Sequence, residues 1–163
     1  MKHEPKPGEH LAPEDFDAVV RLTPLVAIDM VVRSPAGSVL LGRRRFEPAK
    51  GMFFTIGGRI SKNETLAAAF QRIALAELGA DTRIEEARFL GVFEHFYATN
   101  HHELAGFGTH YVVLAYELAS FNPGLALPQD QHGEFAWMTL PELMAHPDVH
   151  PNAKAYFARP QGQ

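Results

Sequence analysis

The stretch GGRISKNETLAAAFQRIALAELGA, from Gly57 to Ala80, decides the fold. Two glycines follow a short apolar run, MFFTI (52–56), which reads as a strand. A polar loop comes next, then one amphipathic helix, expected over roughly residues 64–78. Ser61 and Glu64 have the S-x-x-E spacing of a capping box. At about 100° per residue with Leu66 at zero, Phe70 falls near 40°, Ile73 near 340° and Glu77 near 20°. Glu77 therefore stands in the middle of the apolar stripe, and it is the one carboxylate between Thr65 and Leu78. Such a carboxylate is costly to bury unless it is paired, metal-bound or protonated. The glycines permit a close backbone approach, so the Gly57 carbonyl can face a cation held by Glu77. Arg59 and Arg72 flank the same region, and a guanidinium fork suits phosphate oxygens.

Outside this stretch, PEDFDAVVRL (13–22) reads as a short helix and LVAIDMVVRS (25–34) as a strand. A turn at SPAGS (34–38) leads into SVLLGRR, which completes an expected hairpin. Residues 88–98 and 109–118 read as long strands, EFAWM as a short strand, and TLPELMAHP and HPNAKAYFAR as closing helices. The expectation is one mixed α/β (α+β) sandwich over residues 13–163, after a loose polar tail at 1–12. The polar loop TNHHELAGFG (99–108) reads as a mobile cover rather than a metal site, despite its paired histidines. Asp29 interrupts the strand AIDMVV, either as a solvated edge position or as an acceptor for ligand donors.

The 163 residues carry a net charge of −4, which argues against a general nucleic-acid binder. With no cysteine, the chain has no disulfide, thiolate nucleophile or Cys-type zinc site. No apolar run reaches the ~20 residues of a membrane span. The expected location is cytoplasmic, with no membrane partner.

The opening stretch resembles the Nudix box, G-x5-E-x7-R-E-U-x-E-E-x-G-U, where U is a large aliphatic residue. Gly58, Glu64, Arg72, Glu77 and Gly79 fall on its positions. Ile73 and Ala76 stand where two further glutamates belong, and Ala80 is small for the last position. These departures, with VLLGRR, FEHFYATN, THYVVL and DQH, resemble the GDP-mannose mannosyl hydrolase (GDP-mannose glycosyl hydrolase) branch, over about residues 16–157. The resemblance implies a Nudix-type α/β/α sandwich with a mixed sheet and a loop-helix metal site. It implies that Glu77, the Gly57 carbonyl and Gln131 hold one Mg²⁺, or alternatively Mn²⁺. It further implies that His132 is the general base, and that Asp29, Arg44, Arg59, Arg72 and Tyr111 contact the substrate or help the diphosphate leave. A homodimer is also implied.

The chemistry is coherent. Mg²⁺ keeps several waters and needs only one or two protein carboxylates or carbonyls beside substrate phosphates. One glutamate leaves no evident second metal to make hydroxide beside phosphorus, so water attack moves to the anomeric carbon of a nucleotide sugar. Inversion there needs a base on the opposite face of the sugar. The expected reaction is hydrolysis of GDP-mannose, or GDP-glucose, to GDP and free sugar. Attack at phosphorus, with carboxylates supplied by Glu94, Glu103 or Glu134, and a non-catalytic nucleotide-sugar sensor are the alternatives.

Overall fold

The computed structural model describes residues 4–119, 121–122 and 126–158. The elements run α1 (Pro13–Leu22), β1 (Leu25–Val32), β2 (Val39–Arg44), β3 (Phe53–Phe54), β4 (Ile56–Arg59) and α2 (Leu66–Leu78). After a 3-10 turn at Ile84–Glu86 come β5 (Arg88–Tyr97), β6 (Thr109–Leu118), β7 (His132–Met138), α3 (Leu140–Ala145) and α4 (Pro151–Ala158). One mixed sheet has the order β4-β1-β6-β5, with β1 and β6 parallel; the other is β3-β2-β7, all antiparallel.

The centre of the molecule is β1, buried on both faces because its apolar residues are nearly continuous. Ile28, Met30 and Val32 pack under α2 with Phe70, Ile73 and Leu78. Ala27 and Val31 face the opposite way, into the cluster that includes Phe93, Val113 and the α4 residues Ala153 and Tyr156. Helices thus cover both faces, which is the expected α/β/α sandwich with a mixed sheet.

Three local expectations differ. First, β1 and β2 do not form a hairpin ladder. They share a turn, closed by Ser34 N–H donating to the Ser38 carbonyl (2.9 Å), and a single bridge, Arg33–Val39. They then part into separate sheets, because β1 takes eight parallel partners on β6 and four antiparallel partners on β4. Second, MFFTI is not one strand. Phe53–Phe54 joins β2, Thr55 steps across, and Ile56 begins β4 beside β1. Third, Ser61 does not cap α2. Thr65 does, its Oγ1 accepting from Ala68 N–H at 3.2 Å. Glu64 still accepts from Ser61 N–H (2.9 Å), but its carboxylate is turned toward Arg72.

In α2 the buried face holds Phe70, Ile73 and Glu77, whereas Leu66, at the first turn, is 45% exposed. Among the described residues no helix is long and apolar enough to cross a membrane.

Candidate active site

A cavity of about 290 Å³ opens between the two sheets, lined by residues of β1, β2, β4, β5 and β6. Its walls include Asp29, Arg44, Gly57, Arg59, Tyr111 and Gln131, six of the nine site residues expected from sequence. The other three stand off the wall. Arg72 is bound by Glu64 in a fork, with Nε donating to Oε1 at 2.6 Å and an outer nitrogen to Oε2 at 2.8 Å. It also donates to the Arg59 carbonyl (2.8 Å). This arginine therefore positions the backbone behind Arg59 and does not reach the cavity.

Glu77 and His132 form a buried pair beside it. Glu77 is 6% exposed and His132 is 2% exposed, with His132 Nδ1 3.5 Å from Glu77 Oε2. At 3.5 Å the contact is longer than a normal hydrogen bond, and Nδ1 has no hydrogen-bond partner. The sequence places His132 in a loop; the structure makes it the first residue of β7, paired with Arg44. The register slips at this point, leaving Gly133 as an extra residue, and such bulges re-aim side chains. The ring lies flat over Gly42, where an added Cβ would stand 2.4 Å from His132 Cδ2.

Gly57 shows the same economy. A Cβ there would fall 2.3 Å from Asp29 Oδ1, so glycine lets β4 run against the Asp29 carboxyl. At Gly58 an added Cβ would lie 3.1 Å from Ile73 Cγ1, so this glycine lets α2 close on β4.

Asp29 is neither at an edge nor solvated. It accepts from Tyr156 O–H (2.5 Å) and Thr55 O–H (3.3 Å). Burial pushes its carboxyl up to about 6, against the Tyr156 hydrogen bond, the Arg44 charge and the Thr55 hydrogen bond, which pull it down. The Tyr156 oxygen also lies 3.3 Å from His95 Nε2. Burial, and secondarily the nearby His150, drives His95 down to about 4, so it is neutral. His95, Tyr97 and Tyr156 are functional-site neighbours that the sequence did not single out. His95 and Tyr97 alternate inward along β5, and this period-2 placement was the available signal. The helix HPNAKAYFAR, read from sequence only as a closing helix, supplies Tyr156 to Asp29.

Two guanidiniums face the cavity. Arg44 Nε is buried without a hydrogen-bond partner, and Arg59 lies 4.0 Å from the centre of the Phe16 ring. Burial pulls the Arg59 guanidinium downward, partly offset by Tyr111. Unpaired buried donors of positive charge suit an anion.

The oxygen donors Glu77, Gln131 and the Gly57 carbonyl suit a hard cation such as Mg²⁺, and the under-satisfied Glu77–His132 pair is what a cation at Glu77 would relieve. Among the described residues no group of three or more His, Asp or Glu converges as a denser metal cluster. His101, His102 and Glu103 belong to none.

Residues 23–159 match the NUDIX domain. The low-salt glycan biosynthesis protein Agl8 of Haloferax volcanii is 39% identical over 145 residues, spanning 88% of this chain and 89% of that protein. The crystal structure of a MutT NUDIX hydrolase from Burkholderia pseudomallei superposes with a TM-score of 0.65 at 26% identity, covering 83% of this chain and 97% of that one. The NUDIX domain of Shewanella oneidensis NrtR, solved with ADP ribose, gives 0.64 at 14% identity, over 90% and 96% of the two chains. The chain belongs to the Nudix family and is a Nudix hydrolase.

Proposed function

We propose that this Nudix hydrolase cleaves a nucleotide sugar at the anomeric carbon, with GDP-mannose, or GDP-glucose, giving GDP and the inverted free sugar. The observation that carries the reading is the lone carboxylate of α2. Of the three Nudix-box positions in question, Ile73 is core packing under Gly58, Ala76 is exposed, and only the third, Glu77, is a carboxylate. The three glutamates named from sequence as the carboxylates for attack at phosphorus do not line the cavity. Glu134 accepts from Arg43 (2.9 Å), Glu103 faces Lys50 (3.9 Å), and Glu94 is exposed.

Glu77, Gln131 and the Gly57 carbonyl would hold Mg²⁺, whose chemistry is to neutralise charge on the diphosphate leaving group. Arg44 and Arg59 add fixed positive charge along the same wall, stabilising the departing oxygens. Tyr111 and Asp29 line the wall, where the Tyr111 O–H can donate to the phosphates or the sugar and the Asp29 carboxylate can accept from a sugar hydroxyl. His132 is the base in this reading. To take a proton from water at the sugar, residues 131–133 have to carry the imidazole off Glu77 to the cavity. The glycan-biosynthesis role of the Haloferax relative accords with a sugar-bearing substrate.

Hydrolysis in ¹⁸O-water tests this. Label in the released sugar supports attack at carbon. Label in GDP, or release of GMP, supports attack at phosphorus and overturns the reading.

A further inference from the structure

The mouth of the cavity carries an aromatic rim that the reaction itself does not use. Phe46 is 50% exposed at the cavity mouth. One side of it is backed by His101, with ring centres 5.7 Å apart and planes tilted by 57°. His101 in turn meets the edge of Phe16 at 6.2 Å. The loop expected to be a mobile cover is tied down here. His102 Nδ1 is 2.6 Å from Asp17 Oδ1 on α1, and Thr99 O–H donates to Glu47 Oε2 at 2.8 Å. The buried Asn100 amide closes the loop on the Leu104 and Phe107 carbonyls at 2.7 and 2.9 Å.

We propose that this rim is the nucleobase subsite, with Phe46 as its stacking surface and Glu47 as the group that selects guanine. The proposal rests on the nucleotide-sugar reading of the cavity. A cavity of about 290 Å³ is at the small end of ligand pockets, so a bound nucleotide sugar must extend past the mouth. The deep end, with Asp29, Tyr97 and His95, is rich in hydrogen-bonding groups, whereas flat apolar surface lies at the rim. A ring inserted between two others needs roughly 7 Å, twice the usual carbon–carbon contact. The Phe46–His101 spacing of 5.7 Å does not leave that room. The base therefore lies on the open face of Phe46, and His101 supports the ring from behind.

Glu47 lines the cavity beside Phe46, and Thr99 fixes its carboxylate while acceptor capacity remains. Guanine presents two adjacent N–H donors on its Watson–Crick edge, matched to the two oxygens of a carboxylate. Adenine, cytosine and uracil each set an acceptor beside the donor, which a carboxylate repels.

Calorimetric titration of the full chain with Mg²⁺ and GDP, ADP or inorganic pyrophosphate tests this. The wild type is expected to prefer GDP over ADP by at least tenfold. Phe46→Ala should weaken GDP about tenfold and leave pyrophosphate unchanged, which also reports a folded site; Phe46→Tyr should restore GDP. Glu47→Gln should bring the GDP-to-ADP ratio toward one. The proposal is overturned if both Phe46→Ala and Glu47→Gln bind GDP like the wild type, or if the wild type does not distinguish GDP from ADP or binds neither. Tight, rim-dependent GDP binding without sugar release would sink the proposed reaction and leave the subsite standing. Hydrolysis by Phe46→Ala at the wild-type KM would sink the subsite alone.

Discussion

His132 Nδ1 lies 3.5 Å from Glu77 Oε2, and both side chains are buried. A buried carboxylate with only this long contact is poorly compensated, and a charge buried without a hydrogen-bonded partner is costly to the fold. Glu77→Gln keeps the shape and removes the charge. Its melting temperature without metal is expected to equal or exceed that of the wild type. Mg²⁺ is expected to raise the melting temperature of the wild type but not of this variant, and kcat should fall at least a hundredfold. An undiminished Mg²⁺ shift would take Glu77 out of the metal site.

The contact between Gly42 and His132 gives a second prediction. A Cβ on residue 42 would stand 2.4 Å from His132 Cδ2 and 2.5 Å from Cγ, so Gly42→Ala must displace the ring. Overpacking of this kind costs roughly 1–3 kcal/mol. His132→Ala alone should lower kcat ~10²–10⁴-fold if the imidazole is the general base. It also vacates the space above Gly42. The double variant should therefore be more stable than the sum of the two single changes predicts, a coupling that denaturant titration of the four proteins measures. Wild-type kcat in His132→Ala would turn attention to Asp29, which is on the cavity wall with its carboxyl near 6.

The sandwich, the single helix of the box and the inward position of Glu77 were legible because each follows from local periodicity and glycine placement. The hairpin expected at residues 34–38 did not form, since turn chemistry fixes that the chain reverses but not which sheet each arm joins. That choice is made by long-range pairing of β1 with β6, more than eighty residues along the chain. Asp29 was visible as an interruption in an apolar strand. Its partner Tyr156, 127 positions away, was not, because α4 reads as packing until the fold sets it beside the cavity floor. Arg72 shows the reverse. Its box position drew attention to it as a substrate contact, while its engagement with Glu64 and the Arg59 carbonyl depends on how the 60–65 loop folds.

Asp29 and His95 should give opposite pH signatures. The Asp29 pKa rises on folding from 3.8 to about 6, so its contribution to stability is complete below about pH 4 and is lost as pH rises through 6. The His95 pKa falls from 6.5 to about 4, so its contribution is complete above about pH 6.5 and is lost as pH falls toward 4. Asp29→Asn should therefore gain stability relative to the wild type between pH 4 and 6. His95→Gln should flatten the acid limb below pH 6.5. Chemical denaturation of the three proteins at pH 4, 5, 6 and 7 reads both slopes. Parallel curves would mean that these two groups are solvated in the folded protein.

Arg72 is expected to act through structure rather than through the substrate. Its guanidinium holds both Glu64 oxygens and the Arg59 carbonyl, joining the loop before α2 to the end of β4. Lysine carries the charge but cannot make the fork. Arg72→Lys should lower the melting temperature by several degrees and loosen the backbone behind Arg59. Arg44→Lys should leave melting nearly unchanged, because the Arg44 Nε has no hydrogen-bond partner to lose, and should instead weaken binding of GDP and pyrophosphate together. The distinguishing measurement is each variant's pyrophosphate affinity set against its melting temperature. If Arg72→Lys loses as much pyrophosphate affinity as Arg44→Lys while melting like the wild type, Arg72 leaves Glu64 when substrate binds and contacts the phosphates directly. If it loses stability first and affinity only in proportion, the Glu64 fork is its role, and the two arginines on the cavity wall carry the charge of the leaving group.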